Sequence, residues 1–136
     1  MKQKNSWQQQ TLEYLENDIW PPCDDKGSGL IKTCHALRKK PVNEFTIENL
    51  RRMIAQQIGL PYLIQIALEK LTENLFTEGN FYEGDLLEGV LHVHTAFWDD
   101  HKAYWQHLHN LIKNRREELT LHKFDTTKFD NSKHAL

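Results

Sequence analysis

The strongest constraint on the fold is a pair of amphipathic stretches that meet at Gly59, near the middle of the chain. Thr46 precedes the first stretch, "IENLRRMIAQQI", and its hydroxyl can accept a hydrogen bond from a free N–H group at a helix start. Pro61 suits the first turn of a second helix. Apolar residues follow there at spacings of three and four: Leu60, Leu63, Ile64, Ala67, Leu68 and Leu71. The sequence predicts two helices with a very short connection, the second being the central helix of the fold.

Four further segments carry helical patterns or helix-end signals. "TLEYLENDIW" predicts a first helix that ends before Pro21, because a proline disfavours helix at the residue before it. "LIKTCHALRKK" predicts a short second helix with cations near its C-terminus. Another helix is expected to start at Asp85, and "TAFWDDHKAYWQHLHNLIKNRREEL" predicts one long helix with aromatic residues along one side.

Chain length limits the number of domains. With 136 residues, of which 39% are hydrophobic, the chain can bury one core and is too short for two ordinary domains. We predict an all-α, compact single-domain bundle of about five or six helices, in which residues 1–122 form the helical domain. Residues 123–136 have few apolar positions, so an irregular or mobile C-terminal tail is expected, although its Phe124 and Phe129 can dock on the bundle.

The sequence contains no clear membrane or secretion signal and no cysteine motif. No apolar run approaches the roughly 18 residues of a membrane span, and the N-terminal residues lack the apolar region of a secretion signal. A cytoplasmic protein without membrane contact is therefore expected. Cys23 and Cys34 have no CxxC spacing and are interpreted as free thiols. The adjacent His35 does not orient a thiolate for nucleophilic attack.

Acidic charge is concentrated in the middle of the chain. The net charge is −2, yet residues 69–100 contain eight acidic residues and one basic residue. Such a segment repels phosphates, so nucleic acid is not expected as a ligand, whereas a basic protein would be attracted. A solvated helix face is the alternative explanation of a charge run.

The most unusual part of this segment is "TEGNFYEGDLLEGV" at positions 77–90. Asp85 and Glu88 have the spacing of a helix capping box, which predicts a structural role for both carboxylates. The stretch lacks the ladder of oxygen ligands found in calcium loops, and nothing in it indicates a pocket for a catalytic carboxylate pair. The side chains left unexplained, together with nearby acidic residues, form a candidate docking surface: Glu73, Glu78, Phe81, Tyr82, Glu83, Asp99 and Asp100.

The histidines do not indicate a metal site. His92/His94 and His107/His109 are HxH pairs, whose members point to nearly opposite sides of a helix, and no HExxH motif is present. His92 is better explained as the partner of Glu88, one helical turn earlier. We therefore expect no metal and no cofactor.

One enzyme hypothesis rests on Arg116 and His122. Their separation resembles the R-x4–6-H motif of helical HEPN ribonucleases, which is short and unspecific. Glu117 stands where a polar uncharged residue usually follows the arginine. No catalytic residue is assigned.

Three motifs occur together in an order that resembles a known family: "CHALRKKPVNEFT", "QQIGLPYLI" and "EGNFYEGDLL". The sequence is similar to immunity proteins of bacterial contact-dependent growth inhibition (CDI) systems over roughly Thr11 to Leu91. This resemblance implies a small cytosolic protein that binds a delivered toxin domain, commonly a nuclease, and blocks it. It does not indicate which residues contact the toxin.

The resemblance and the charge distribution agree with each other. A nuclease active site is cationic because it binds phosphates, so an acidic surface can occupy it. The favoured hypothesis is a non-enzymatic inhibitor of a basic nuclease toxin, with a ribonuclease favoured. The alternatives are a ribonuclease that uses Arg116 and His122, and a regulatory or scaffolding bundle without a toxin. Self-association stays open.

Overall fold

The computed structural model of the protein describes residues 7–21 and 29–132. These ranges contain nine α-helices, named in chain order: α1 (Leu12–Glu16), α2 (Gly29–Arg38), α3 (Ile47–Ala55), α4 (Leu60–Glu73), α5 (Asp85–Leu91), α6 (Thr95–Asp100), α7 (Lys102–Asn114), α8 (Arg116–Leu121) and α9 (Thr127–Asp130). A 3₁₀ turn, Val42–Glu44, precedes α3. Apart from one isolated bridge, the described ranges contain no β-structure, so the all-α prediction is confirmed. None of the helices described is long and apolar enough to span a bilayer.

The two stretches that meet at Gly59 form helices α3 and α4, as predicted. The Thr46 hydroxyl accepts a hydrogen bond from the Asn49 N–H (3.0 Å), and the Asn49 side-chain oxygen accepts one from the Thr46 N–H (3.1 Å). Helix α4 packs against α3, α5 and α7. Its buried residues are Leu60, Leu63, Ile64, Ile66, Ala67, Leu68 and Leu71. The prediction of α4 as the central helix is confirmed.

Thr46→Ala is expected to lower the free energy of unfolding by about 1 kcal/mol, because it leaves a helix-start N–H without its side-chain acceptor. Urea denaturation followed by circular dichroism measures this change. Thr120→Ala, at an exposed position within α8, is the matched control and should stay within about 0.5 kcal/mol of the wild type. Equal effects at the two positions would contradict the capping role.

Helix α1 is shorter than the sequence predicts. It ends at Glu16, and Asn17 adopts a left-handed conformation (φ 52°). The reason is the buried Arg38, which is 1% exposed, pairs with Glu16, donates to the carbonyl of Asp18 and lies 4.4 Å from the centroid of the Trp20 ring. Arg38 therefore stabilises a non-helical segment, residues 18–20, where the periodicity predicted helix.

The long helix predicted after α5 is divided into α6, α7 and α8, so the prediction of one continuous helix is wrong. The break at His101 is stabilised by its own imidazole, whose Nδ1–H donates to the Phe97 carbonyl (3.0 Å) while the ring stacks on Phe97. The break at Arg115 places its guanidinium 5.2 Å from the centroid of the Phe76 ring.

The described part of the C-terminal segment packs on the helices. An irregular or mobile tail is the expectation from sequence, yet residues Thr127–Asp130 form helix α9, and Phe129 is fully buried. The Phe129 ring contacts the rings of Trp98 and Trp105, with centroids 5.3 and 5.2 Å away. The docking that the sequence left open for Phe129 is thus present, whereas residues 133–136 lie outside the described ranges.

Helices α4 and α7 run in the same direction. The Tyr104 hydroxyl, near the start of α7, donates to the Pro61 carbonyl at the start of α4 (3.3 Å). Arg115, just after α7, lies over Phe76, just after α4. Because a 14-residue helix is roughly 20 Å long, the two ends of this pair are well separated.

Candidate functional site

The candidate surface is centred on the connection between α4 and α5, residues 74–84, which we call the acidic loop. The loop folds back on itself, so that Glu78 and Glu83 form an isolated antiparallel bridge. At its base the Gly84 N–H donates to the Phe76 carbonyl (3.0 Å). Gly84 has a φ of 87°, and a Cβ at this position would lie 2.3 Å from Phe124, so both the conformation and the space favour glycine.

Asp85 holds the acidic loop from within. Its side chain is buried and accepts hydrogen bonds from the N–H groups of Gly79 (2.6 Å), Phe81 (3.0 Å) and Tyr82 (3.4 Å). The predicted capping box of Asp85 and Glu88 is wrong, because Gly84 is the N-cap of α5 and no side chain caps this helix. The carboxylate is structural, as expected, but it organises the loop before the helix.

Glu48 provides a second anchor for the acidic loop. It is 7% exposed and accepts hydrogen bonds from Arg51 (2.8 and 2.6 Å), from Arg52 (3.0 Å) and from the N–H of Asn80 (2.9 Å). Hydrogen bonding from Arg51 lowers the pKa of Glu48 to about 2. Sequence reasoning assigned Glu48 only to the positive end of the helix dipole. The sequence signal for its ion pairs was the presence of Arg51 and Arg52, three and four residues after Glu48.

The low pKa of Glu48 predicts a loss of stability in acid. The folded-state pKa lies below the ordinary value of 4.5, so the stabilisation is present above that pH and is lost as the pH falls towards 2. We expect this group to contribute on the order of 3 kcal/mol at neutral pH. Urea midpoints measured at pH 6 and pH 3 test this contribution. Glu48→Gln should lower the midpoint at pH 6 and reduce the difference between the pH 6 and pH 3 midpoints. An identical pH dependence in the variant would contradict the assignment.

The outer side of the acidic loop carries four exposed side chains. Phe81 and Tyr82 are 63% and 50% exposed, and Glu78 and Glu83 are also exposed. Across the described part of the chain, neither of these two glutamates has a hydrogen-bond or ion-pair partner for its carboxylate. Like charges directly opposite each other repel, so a cationic partner would relieve the repulsion at this bridge.

The structure brings only part of the predicted set together. Glu73 is exposed at the C-terminal end of α4, where the acidic loop begins. Asp99 and Asp100 end α6, immediately before the start of α7, and this start lies beside the beginning of α4. These two aspartates are therefore at the opposite end of the α4–α7 pair from the acidic loop.

A groove of about 500 Å³ lies beside the acidic loop. One wall is the loop and the start of α5, and the other is the end of α8 with the residues that follow it. The lining residues are Asn74, Phe76, Tyr82, Glu83, Glu88, Glu118, His122, Lys123 and Phe124. A smaller hollow of about 330 Å³ shares Tyr82 and Glu88 with this groove and is lined by Arg51, Phe81 and Asp85, among others.

Comparison with protein families decides what kind of protein this is. A sequence model of the family described as CDI immunity proteins matches residues 14–108, well over half of the chain. The chain belongs to this family. Comparisons with curated proteins and with solved structures gave no match. The resemblance inferred from the sequence motifs is confirmed, and family membership assigns the protein a role in neutralising a CDI toxin.

The acidic loop of this CDI immunity protein lies within the matched range, together with Glu48 and Asp85. The second wall of the groove, from Glu118 to Phe124, lies beyond it. Sequence reasoning missed this wall because it expected a fraying helix followed by a mobile tail.

The residues of the ribonuclease hypothesis have separate partners in this CDI immunity protein. Arg116 donates to the Thr126 hydroxyl (2.7 Å) and to the Asp130 carboxylate (3.4 Å). The ring of His122 lies against Phe76, with centroids 5.7 Å apart. Arg116 thus binds the C-terminal segment to helix α8. No contact between Arg116 and His122 is observed that resembles a catalytic pair.

The structure also describes the surroundings of Cys34 and His92, and it allows a search for metal-ligand clusters. Burial raises the pKa of the Cys34 thiol, which disfavours the reactive thiolate. Cys23 lies outside the described ranges. His92 donates from Nδ1 to the Glu88 carbonyl (2.8 Å) and lies 3.7 Å from its carboxylate, as predicted. Among the residues described, no group of three or more His, Cys, Asp or Glu side chains is arranged to hold a metal.

Proposed function

We propose that the protein neutralises its cognate CDI toxin by binding a basic nuclease domain, with a ribonuclease favoured, through the acidic loop. The observation that carries this proposal is the contrast between the two sets of carboxylates in the loop. Asp85 and Glu48 are buried and accept hydrogen bonds from the loop backbone, whereas Glu78 and Glu83 are exposed and have no cationic partner among the described residues. Phe81 and Tyr82 add exposed aromatic area, which is typical of residues that dominate binding energies.

The rigid presentation of the loop supports this role. A loop that is already ordered loses little conformational entropy when it binds, so more of the contact energy appears as affinity. Arg51 adds to this order, because its guanidinium lies 4.5 Å from the centroid of the Phe81 ring. Glu73 would extend the surface at the same end of α4, whereas Asp99 and Asp100, at the opposite end of the α4–α7 pair, would add only a weak and separate contact.

Electrostatic attraction supports a nuclease as the partner. Residues 69–100 carry a net charge of −7, and a nuclease that binds phosphates presents a cationic site. Complementary charge speeds association and excludes the nucleic acid that competes for the same site. The toxin domain would meet its substrate inside the cell, so we place the interaction in the cytoplasm.

The proposal is tested by co-expression of this protein with its cognate CDI toxin domain. The toxin domain alone should stop growth, and co-expression should restore growth and yield a complex that co-purifies. Growth arrest that persists, with no complex recovered, would refute the proposed function and favour a regulatory or scaffolding bundle.

We further expect the purified protein to leave RNA intact. Arg116 donates to the Thr126 hydroxyl and the His122 ring lies against Phe76, which supports the expectation that neither acts as an acid or a base in cleavage. Incubation with total RNA, followed by gel electrophoresis, is the measurement. Cleavage by the wild type that disappears in His122→Ala would establish the ribonuclease alternative instead.

A further inference from the structure

The groove beside the acidic loop combines aromatic walls with carboxylates. Phe76, Tyr82 and Phe124 supply the rings, and Glu83, Glu88 and Glu118 supply the acidic groups. Burial raises the pKa of the Tyr82 hydroxyl, and the charges of Glu88 and Asp85 raise it further, whereas Arg51 lowers it. Lys123 is the one lysine of the lining, and Arg115 is bonded to Glu118. The acidic character of the groove therefore comes mainly from Glu83 and Glu88.

The protein uses one recognition arrangement three times, and one of these sets shares Phe76 and Glu118 with the groove. In each case a guanidinium lies over an aromatic ring and is hydrogen-bonded to a carboxylate. The three sets are Arg38 with Trp20 and Glu16, Arg51 with Phe81 and Glu48, and Arg115 with Phe76 and Glu118. The ring-to-guanidinium distances are 4.4, 4.5 and 5.2 Å. Ring faces and carboxylates attract a guanidinium together, because it is planar, weakly hydrated and offers several N–H donors.

Tyr82 has the same environment but lacks an arginine of its own. It lines the groove with Glu83 and Glu88, and no cation of the described chain lies over its ring. The smaller hollow that Tyr82 also lines already contains Arg51. Among the residues described, no arginine lines the groove, so the groove is where a partner's guanidinium can approach Tyr82.

We propose that this groove binds an arginine side chain of the toxin domain, with the guanidinium on the Tyr82 ring and its N–H groups donating to Glu83 and Glu88. The inference rests on the proposed function for the source of the arginine, but the groove itself is testable without a toxin. Lysine is the poorer fit, because an ammonium group lacks the planar shape that matches both a ring face and a carboxylate. Lys123 opposes the bound cation and limits its affinity.

The direct test uses ethylguanidinium as the probe and ethylammonium as its matched control, at constant ionic strength. Amide resonances of Tyr82, Gly84 and Phe124 are followed by NMR during each titration. Ethylguanidinium should give saturable shifts at these residues, at least threefold tighter than ethylammonium. Equal affinities, or no saturable shift at the groove, would overturn the proposal.

Three variants of groove residues and one control variant extend this titration. Tyr82→Leu removes the ring and should abolish the saturable shifts, whereas Tyr14→Leu, at another exposed tyrosine, should leave them unchanged. Glu88→Gln should weaken the probe several-fold. Lys123→Gln removes the opposing charge and should tighten it about twofold, in the direction opposite to Glu88→Gln. Weaker binding in Lys123→Gln would contradict a cation in the groove.

A second experiment measures dissociation of the complex with the toxin domain. Tyr82→Leu should speed dissociation of the complex at least tenfold, while Tyr82→Phe, which keeps the ring, should stay within threefold of the wild type. If both variants match the wild type and the toxin still binds, the groove assignment is wrong while the proposed function stands. If the wild type does not bind the toxin, the proposed function fails, and the probe titration alone then decides whether the groove recognises guanidinium.

Discussion

Asp85→Ala is expected to lower the free energy of unfolding by about 3 kcal/mol, because hydrogen bonds to a charged group contribute roughly 1.5 to 3 kcal/mol each. Two of the three bonds that Asp85 accepts, from Gly79 and Phe81, are 3.0 Å or shorter. Removing the carboxylate leaves these partly buried N–H groups without their acceptor. The acidic loop should then lose its fixed shape as well as its contribution to stability.

The matched control is Asp100→Ala, which removes an exposed carboxylate at the end of α6. It should change the free energy of unfolding by less than about 0.5 kcal/mol. Urea denaturation measures both variants, and amide hydrogen exchange reports the loop itself. In Asp85→Ala the amides of Gly79 and Phe81 should exchange much faster. An effect below about 1 kcal/mol with unchanged exchange would show that the loop does not depend on Asp85.

The helices that surround the loop were predictable because their signals are local. Thr46 and Pro61 mark helix starts by their own chemistry, and the apolar spacing of α4 reports its burial directly. The exposed set of Glu78, Phe81, Tyr82 and Glu83 was also found from sequence, since charged and aromatic residues in a glycine-rich connection have no core to enter. Their exposure is observed, whereas their role in binding stays a prediction.

Features that depend on contacts between distant segments were not predictable. Glu48 reaches Asn80, 32 positions later, and no periodicity records such a contact. The division of the long helix at His101 depends on an imidazole that satisfies a carbonyl, which competes with helix propensity. Phe129 was assigned to a tail, because a single apolar residue carries no pattern until Trp98 and Trp105 are placed around it.

The largest effect on binding is expected from Glu78→Lys combined with Glu83→Lys. Both carboxylates are exposed and lack an ion pair within the described chain, so their replacement should change thermal stability little. The reversal changes the charge of the acidic loop by four units in the direction that repels a basic partner. We expect the affinity for the toxin domain to fall on the order of 100-fold, mostly through slower association.

Asp99→Lys combined with Asp100→Lys is the matched control for charge. It reverses the same number of charges at the opposite end of the α4–α7 pair, so it changes the net charge equally but leaves the acidic loop intact. If long-range attraction to the whole molecule were responsible, the two double variants would slow association alike. A local contact at the loop predicts that the control stays within about fivefold of the wild type.

The most direct measurement is therefore the association rate of the cognate toxin domain with the wild type and both double variants, at low and at physiological salt. A toxin contact at the acidic loop predicts that Glu78→Lys with Glu83→Lys slows association strongly and removes most of its salt dependence, while Asp99→Lys with Asp100→Lys changes either quantity only slightly. Unchanged association and affinity in the loop variant, with slower association in the Asp99 and Asp100 variant, would contradict the account and place the toxin contact at the other end of the bundle.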